Sequence, residues 1–178
     1  RRFAHQRRII GDLPKLHRRP FGLFAAKLLV AMEEARASTP APDAVVFVVD
    51  ARPAVFAVLR TELTAARANA GYLPLAFGLA VHEIEAWLLA DPEARRAGMD
   101  ADCAALAYGR PEDDPDPKTT FASWLGDARA RASGNAAGLT DLERRALLIA
   151  AMRPDVVAQL CPLGFAPFLG EIRRLSSS

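Results

Sequence analysis

Cysteine is nearly absent from this sequence: Cys103 and Cys161 are the two in 178 residues. They form no C-x-x-C pair, and no histidine cluster lies nearby, which leaves no ligand set for a structural zinc. Two isolated thiols read as small buried hydrophobes in a reducing compartment. Long apolar runs are missing too. Nothing reaches the roughly 18 residues that span a bilayer. The uncharged stretch from Ala68 to His82 is interrupted by Asn69, Gly71 and Pro74, and the purest run, Ala44 to Val49, stops at Asp50. No membrane segment is expected, and the expected compartment is the cytoplasm. No secretory leader is legible either, because charge is mixed into Phe3 to Ile10; the first residue is Arg1, so the true beginning is expected upstream.

Signature motifs are equally sparse. There is no P-loop, no G-x-G-x-x-G and no G-x-S-x-G. His82-Glu83 opens an H-E-x-x-H but the second histidine is lacking. These absences argue against nucleotide hydrolysis by this chain, a serine hydrolase and a zinc protease. The acidic loop around Asp113, Asp114 and Asp116 lacks the spacing of a calcium-binding EF-hand, and Asp116 before Pro117 reads instead as a helix N-cap.

What is present is an ordinary globular composition. Hydrophobic residues make up 51% with only 7% aromatic, so alanine and aliphatic residues dominate, as packed helices require. The length fits about one domain, able to bury about 70% of its unfolded surface. Charge is uneven. Residues 1–27 hold eight Lys or Arg against Asp12 alone, whereas the whole chain is only +2. A basic end on an acidic body suits a phosphate-binding arm, or is simply a solvated terminus.

The periodicity predicts an α/β chain. Phe21 to Ala37 follows a 3.6-residue repeat through Leu23, Phe24, Leu28, Ala31 and Met32, and the prolines at 40 and 42 end it. Ala44 to Val49 is an apolar β-branched run, the pattern of a strand buried on both faces in a parallel sheet. Pro53 to about Asn69 is the next helix, with Gly71 as its cap. Leu73 to Val81 is a second buried strand. His82 to Ala90 reads as a short helix whose apolar face is Ile84, Trp87 and Leu88, with Asp91 capping a further helix that begins on Pro92. This order predicts a βαβ unit with parallel strands. Beyond the loop at 109–117 the pattern is helical: Lys118 to Ala132, Asp141 to Met152 behind a Thr140–Glu143 capping box, and Pro162 to Leu175. The expected organisation is one domain, with a basic segment at 1–20, a βα core at 21–108 and a helical extension at 109–178.

Chemistry is expected where the strands end, because open parallel sheets bind ligands beyond their carboxyl ends. Asp50 ends the first strand; His82 and Glu83 follow the second. If the strands are neighbours, Asp50 and Glu83 converge and can hold Mg²⁺, an oxygen-seeking ion suited to phosphoester chemistry. Asp50 can equally cap the helix at Pro53. Glu83 and Glu85 are two apart and do not face one way on a helix, so one points into a site while the other is solvated or paired with an arginine. His82 reads as a general base, a ligand or a structural residue, and His5 and His17 carry no pattern.

Val45 to Asp50 (V-V-F-V-V-D), Val81 to Asp91 (V-H-E-I-E-A-W-L-L-A-D), Asp116-Pro117-Lys118, and Cys161-Pro162 with Phe165 and Phe168 occur in an order that resembles the bacterial family called domain of unknown function 4276, which is similar to TOPRIM domains. The likeness runs from about Phe21 onward, and E-x-E-A-W-L-L-A-D is its most specific stretch. It implies a TOPRIM-like (Rossmann-like) parallel sheet flanked by helices, a Mg²⁺-dependent nuclease acting on DNA or RNA, and a place in phage defence beside a separately encoded ATPase. Asp50 matches the family's D-x-D by motif; Glu83 and Glu85 lie in the matching stretch and are candidate catalytic residues with it. TOPRIM sites also use a glutamate after the first strand, which is expected before Arg1, and Asp50-Ala51-Arg52 keeps only the first aspartate of D-x-D. A non-catalytic binding or regulatory subunit with a degenerate site is the alternative.

Overall fold

The computed structural model describes residues 22–40, 42–68 and 73–177. The basic segment at 1–20, with His5 and His17, lies outside them, as do Phe21 and Gly71. The described chain is a mostly helical α/β protein that divides into two compact units: 22–40, 42–45, 57–68 and 73–75 in one, and 46–56 with 76–177 in the other.

The first unit carries α1 (Gly22–Ala37) and most of α2 (Pro53–Ala68). Leu28 and Met32 are buried one turn apart on α1, and Leu59, Leu63 and Ala66 mark one buried face of α2.

The sheet consists of β1 (Val45–Ala51) and β2 (Leu75–Val81). The Val45 amide donates to the Pro74 carbonyl at 2.8 Å, and the His82 amide donates to the Ala51 carbonyl at 2.9 Å. The strand starts pair and the strand ends pair, so the two run parallel. β2 is buried throughout, as its composition predicts. β1 corrects the expectation of burial on both faces: Val46 is 54% exposed and only Val49 and Ala51 are fully buried. The difference lies in what covers the outer edge. On β2 the Phe77 amide donates to Glu171 Oε2 at 2.8 Å, and Gly164 sits so close to the Leu79 carbonyl that a Cβ would collide with it. Both covering groups come from residues far along the chain.

The second unit contains the remaining helices: α3 (Glu85–Ala90), α4 (Pro92–Gly98), α5 (Ala101–Ala105), α6 (Pro117–Arg131), α7 (Asp141–Ala151), α8 (Pro154–Leu160) and α9 (Phe165–Ser177). α3 is buried on every side. Leu88 and Leu89 enter a core with Phe121, Leu125 and Leu148, while Trp87 and Ala90 enter another with Val157, Cys161 and Phe165. Trp87 stacks on Phe168 (centroids 5.5 Å, 17°) and meets Phe165 edge-on at 5.1 Å, so it is core, as its helical spacing predicts. Cys103 and Cys161 are buried. α4 and α7 pack tightly because Gly98 has no side chain; a Cβ there would collide with Leu148.

Capping follows the sequence closely. Asp91 accepts from the Glu93 amide (2.9 Å), Asp116 from the Thr119 amide (3.1 Å), and Thr140 and Glu143 form the reciprocal box. Three expectations need correction. The helix read from His82 starts only at Glu85, because His82 adopts a positive φ of 58° that no α-helix accepts. Ile84 therefore leaves the apolar face and is 38% exposed. The last helix starts at Phe165, not Pro162, and the unpredicted α8 precedes it.

Candidate functional site

Asp50 lies one residue before the end of β1, on its exposed side. β2 ends one residue before His82. The Glu83 amide donates to the Val81 carbonyl at 2.9 Å, closing a three-residue turn centred on His82. A γ-turn with a positive central φ is strained for a non-glycine residue. It swings the chain so that the Ile84 amide donates to Asp50 Oδ1 at 2.9 Å. Asp50 thus holds the entry to α3, which corrects the alternative in which it caps the helix at Pro53.

Glu83 and Glu85 go separate ways, as their spacing predicts. Glu83 Oε2 accepts from the Lys118 amide at 3.1 Å and supports the first turn of α6 beside Asp116. Glu85 is buried and its Oε1 lies 3.6 Å from Arg145 Nη1 of α7. The guanidinium of Arg145 stands over the Phe121 ring, 4.6 Å from its centroid. Residues from β1, the turn after β2, α6 and α7 therefore meet at the carboxyl end of the strand pair.

The electrostatics of this rim are mixed. Loss of water raises the Asp50 carboxyl above its usual value; the Ile84 amide opposes this, Glu85 pushes it further up, and Lys118 pulls it down. Behind the rim, Asp114 accepts from the Tyr108 hydroxyl (2.6 Å), the Thr120 hydroxyl (2.8 Å) and the Asp116 amide (2.9 Å). Burial favours the Asp114 proton, but these donors outweigh it and hold the carboxyl low, with His82 adding a small pull the same way.

The fit to Mg²⁺ can be judged from the donors. Asp50 Oδ2 and Glu83 Oε1 accept no hydrogen bond from the described residues, and carboxylate oxygens are the donors that Mg²⁺ prefers. Among the described residues no group of three or more His, Cys, Asp or Glu is placed to hold a metal. Two such carboxylates would supply at most part of an octahedron, with water and a phosphate oxygen to complete it.

Lys118 and Arg145 escaped sequence reasoning. Lys118 had a local signal, since it follows a capping Asp-Pro pair and so sits at a helix start. Arg145 had none, because its contacts with Glu85 and Phe121 join distant parts of the chain. The distant partners of two structural carboxylates were also missed. Asp91 is fully buried and, besides its cap, accepts from the Arg153 amide (2.7 Å), Nε and Nη2 (2.6 Å). Glu112 is buried and accepts from the amides of Leu163 (2.9 Å) and Gly164 (2.6 Å).

No family model, curated protein or solved structure matches the chain. Among the described residues no helix is long and apolar enough to cross a membrane.

Proposed function

We propose that the chain is a TOPRIM-like module whose rim, built on Asp50 and the His82–Glu85 turn, acts with Mg²⁺ on a phosphodiester of DNA or RNA. The observation that carries this reading is the position of Asp50. Its carboxylate stands at the carboxyl end of a parallel strand pair, beside a strained turn, in surroundings that raise its carboxyl. Ligands of open parallel sheets bind at that edge, and both backbone strain and perturbed acids collect at functional sites.

Asp50 and Glu83 are the residues that would hold the ion, each through the oxygen its backbone partner leaves untouched. A bound Mg²⁺ supplies charge neutralisation and an activated water. The protein's own share is orientation. The Ile84 amide fixes the Asp50 carboxylate and the Lys118 amide fixes Glu83. The family likeness extends the proposal to phage defence beside an ATPase partner.

Titration with Mg²⁺ or Mn²⁺, with and without a DNA or RNA oligonucleotide, tests this against Asp50→Asn. Cleavage that requires metal and disappears in the variant is the expected result. Equal behaviour of parent and variant, with neither metal uptake nor cleavage, overturns it. A second reading, a non-catalytic binding or regulatory subunit, is favoured by the use of Asp50 and Glu83 to hold helix starts and by the missing second aspartate after Asp50. Oligonucleotide binding without cleavage, unchanged by Asp50→Asn, is its signature.

A further inference from the structure

We infer that Arg145 is the phosphate-clamping residue of this rim, with Lys118 as its cationic neighbour. The inference rests on the reading of the rim as a phosphodiester site and adds how the substrate's own charge is held.

Arg145 reaches the rim from α7. Its guanidinium carbon lies over the Phe121 ring, 4.6 Å from the centroid. Arginine carries five in-plane N–H donors. Among the described residues Arg145 makes a single ion pair, with Glu85 at 3.6 Å, a separation too long for a direct hydrogen bond. The side chain is 42% exposed. Three arginines of the second unit are engaged more closely: Arg96 and Arg173 meet carboxylates at 2.7 Å, and Arg153 grips Asp91 at 2.6 Å. Among the described residues no hydrogen bond consumes its donors, the state of a side chain prepared for the two non-bridging oxygens of a phosphate.

Lys118 supports this. It lies three residues before Phe121 on α6, hence on the same helix face as the ring under Arg145. It is exposed, and its own amide donates to Glu83 Oε2 at 3.1 Å. The two cations therefore belong to residues that meet either side of Ile84, Lys118 at Glu83 and Arg145 at Glu85. A phosphodiester arriving at carboxylates alone would be repelled. With the two cations it meets a fork donor and a point charge beside the residues proposed to hold the ion.

The test uses the full chain and a fluorescently labelled single-stranded DNA oligonucleotide. Affinity is measured across salt concentrations, in Ca²⁺ and in EDTA, with thermal melting as a check on folding. Arg145→Gln should weaken binding about tenfold, the scale of one charge-assisted hydrogen-bonding group, and should lower the salt slope by about one. Arg145→Lys should recover the slope but only part of the affinity, because an ammonium cannot form the fork. Arg173→Gln, whose side chain pairs with Asp155, should bind as the parent does. Parent-like affinity and slope in Arg145→Gln, or no binding by the parent, overturns the inference. Asp50→Asn, run alongside, keeps the two ideas apart. Loss of cation dependence there with a silent Arg145→Gln sinks the clamp alone. Weakened binding in Arg145→Gln with no cation dependence in any protein sinks the metal reading and leaves the clamp standing.

Discussion

Two aspartates of this chain follow an apolar segment and precede a helix that begins on proline: Asp50 ahead of Pro53, and Asp91 ahead of Pro92. Their surroundings differ. Asp91 is fully buried, and its carboxylate accepts from the Glu93 amide and from the amide and guanidinium of Arg153. Burial alone would raise its carboxyl, but the Arg153 side chain and then the two amides outweigh that and hold it below the ordinary range. Asp50 is exposed, accepts one backbone hydrogen bond and has its carboxyl raised, through lost water and the nearby Glu85. The folded state stabilises the charge on Asp91 and penalises the charge on Asp50. A carboxylate of the first kind is a joint. One of the second kind has charge left over for a ligand.

The sharpest way to break this contrast is to remove Asp91. Asp91→Ala strands the Arg153 amide and deletes the α4 cap, so it should cost about 2–4 kcal/mol in urea unfolding. The full penalty of breaking a buried ion pair is not expected, because the Arg153 side chain is 52% exposed and can rehydrate. A loss below about 1 kcal/mol would return Asp91 to the class of Asp50.

Glu112 is the next probe, as a second buried joint. Glu112→Gln keeps one acceptor oxygen but turns an NH₂ toward the amide of Leu163 or Gly164, at a cost of about 1–3 kcal/mol. Chymotrypsin susceptibility near Phe165 should rise with it, since those amides hold the start of α9; unchanged stability would show that the cap is dispensable.

The sequence made some of this legible and hid the rest for a physical reason. Asp91, Asp116 and Thr140 were readable as caps because their partners lie within three residues. The parallel strand pair was readable from composition and order. The exposure of Val46 was not, since an apolar run does not say what lies on its edge. Asp50 was readable as a strand-end acid, but its partner was not: the Pro53 helix was the local candidate, whereas the bond runs 34 residues on to Ile84. Arg145 and Arg153 were invisible for the same reason, because each contact joins helices that only the tertiary fold brings together.

Acid unfolding compares the two aspartates in one experiment. Asp91 has a folded value below its ordinary 3.8. Its contribution is therefore fully present above about pH 4 and is lost as pH falls through the lowered value. Asp114 acts in the same direction. Asp91→Asn should flatten the acid limb of stability against pH. An unchanged limb would mean that other carboxylates govern acid unfolding.

The smallest expected effect is on Asp50 itself. Its folded value lies above 3.8, so the native state prefers the protonated form and its penalty appears as pH rises from 3.8 through the folded value, then stays constant. Asparagine is a neutral mimic of that protonated form, and its amide oxygen can still accept from the Ile84 amide. Asp50→Asn should therefore leave stability at pH 7 within about 0.5 kcal/mol of the parent, on the stabilising side, and any gain should vanish below about pH 4, where the parent carboxyl is also neutral. Thermal melting at pH 7 and pH 3.5 measures both points. A clear destabilisation at pH 7 would mean that the charge on Asp50 holds the start of α3 in place. Asp50 would then be a joint like Asp91, and loss of metal-dependent activity in Asp50→Asn could no longer be assigned to a lost ligand.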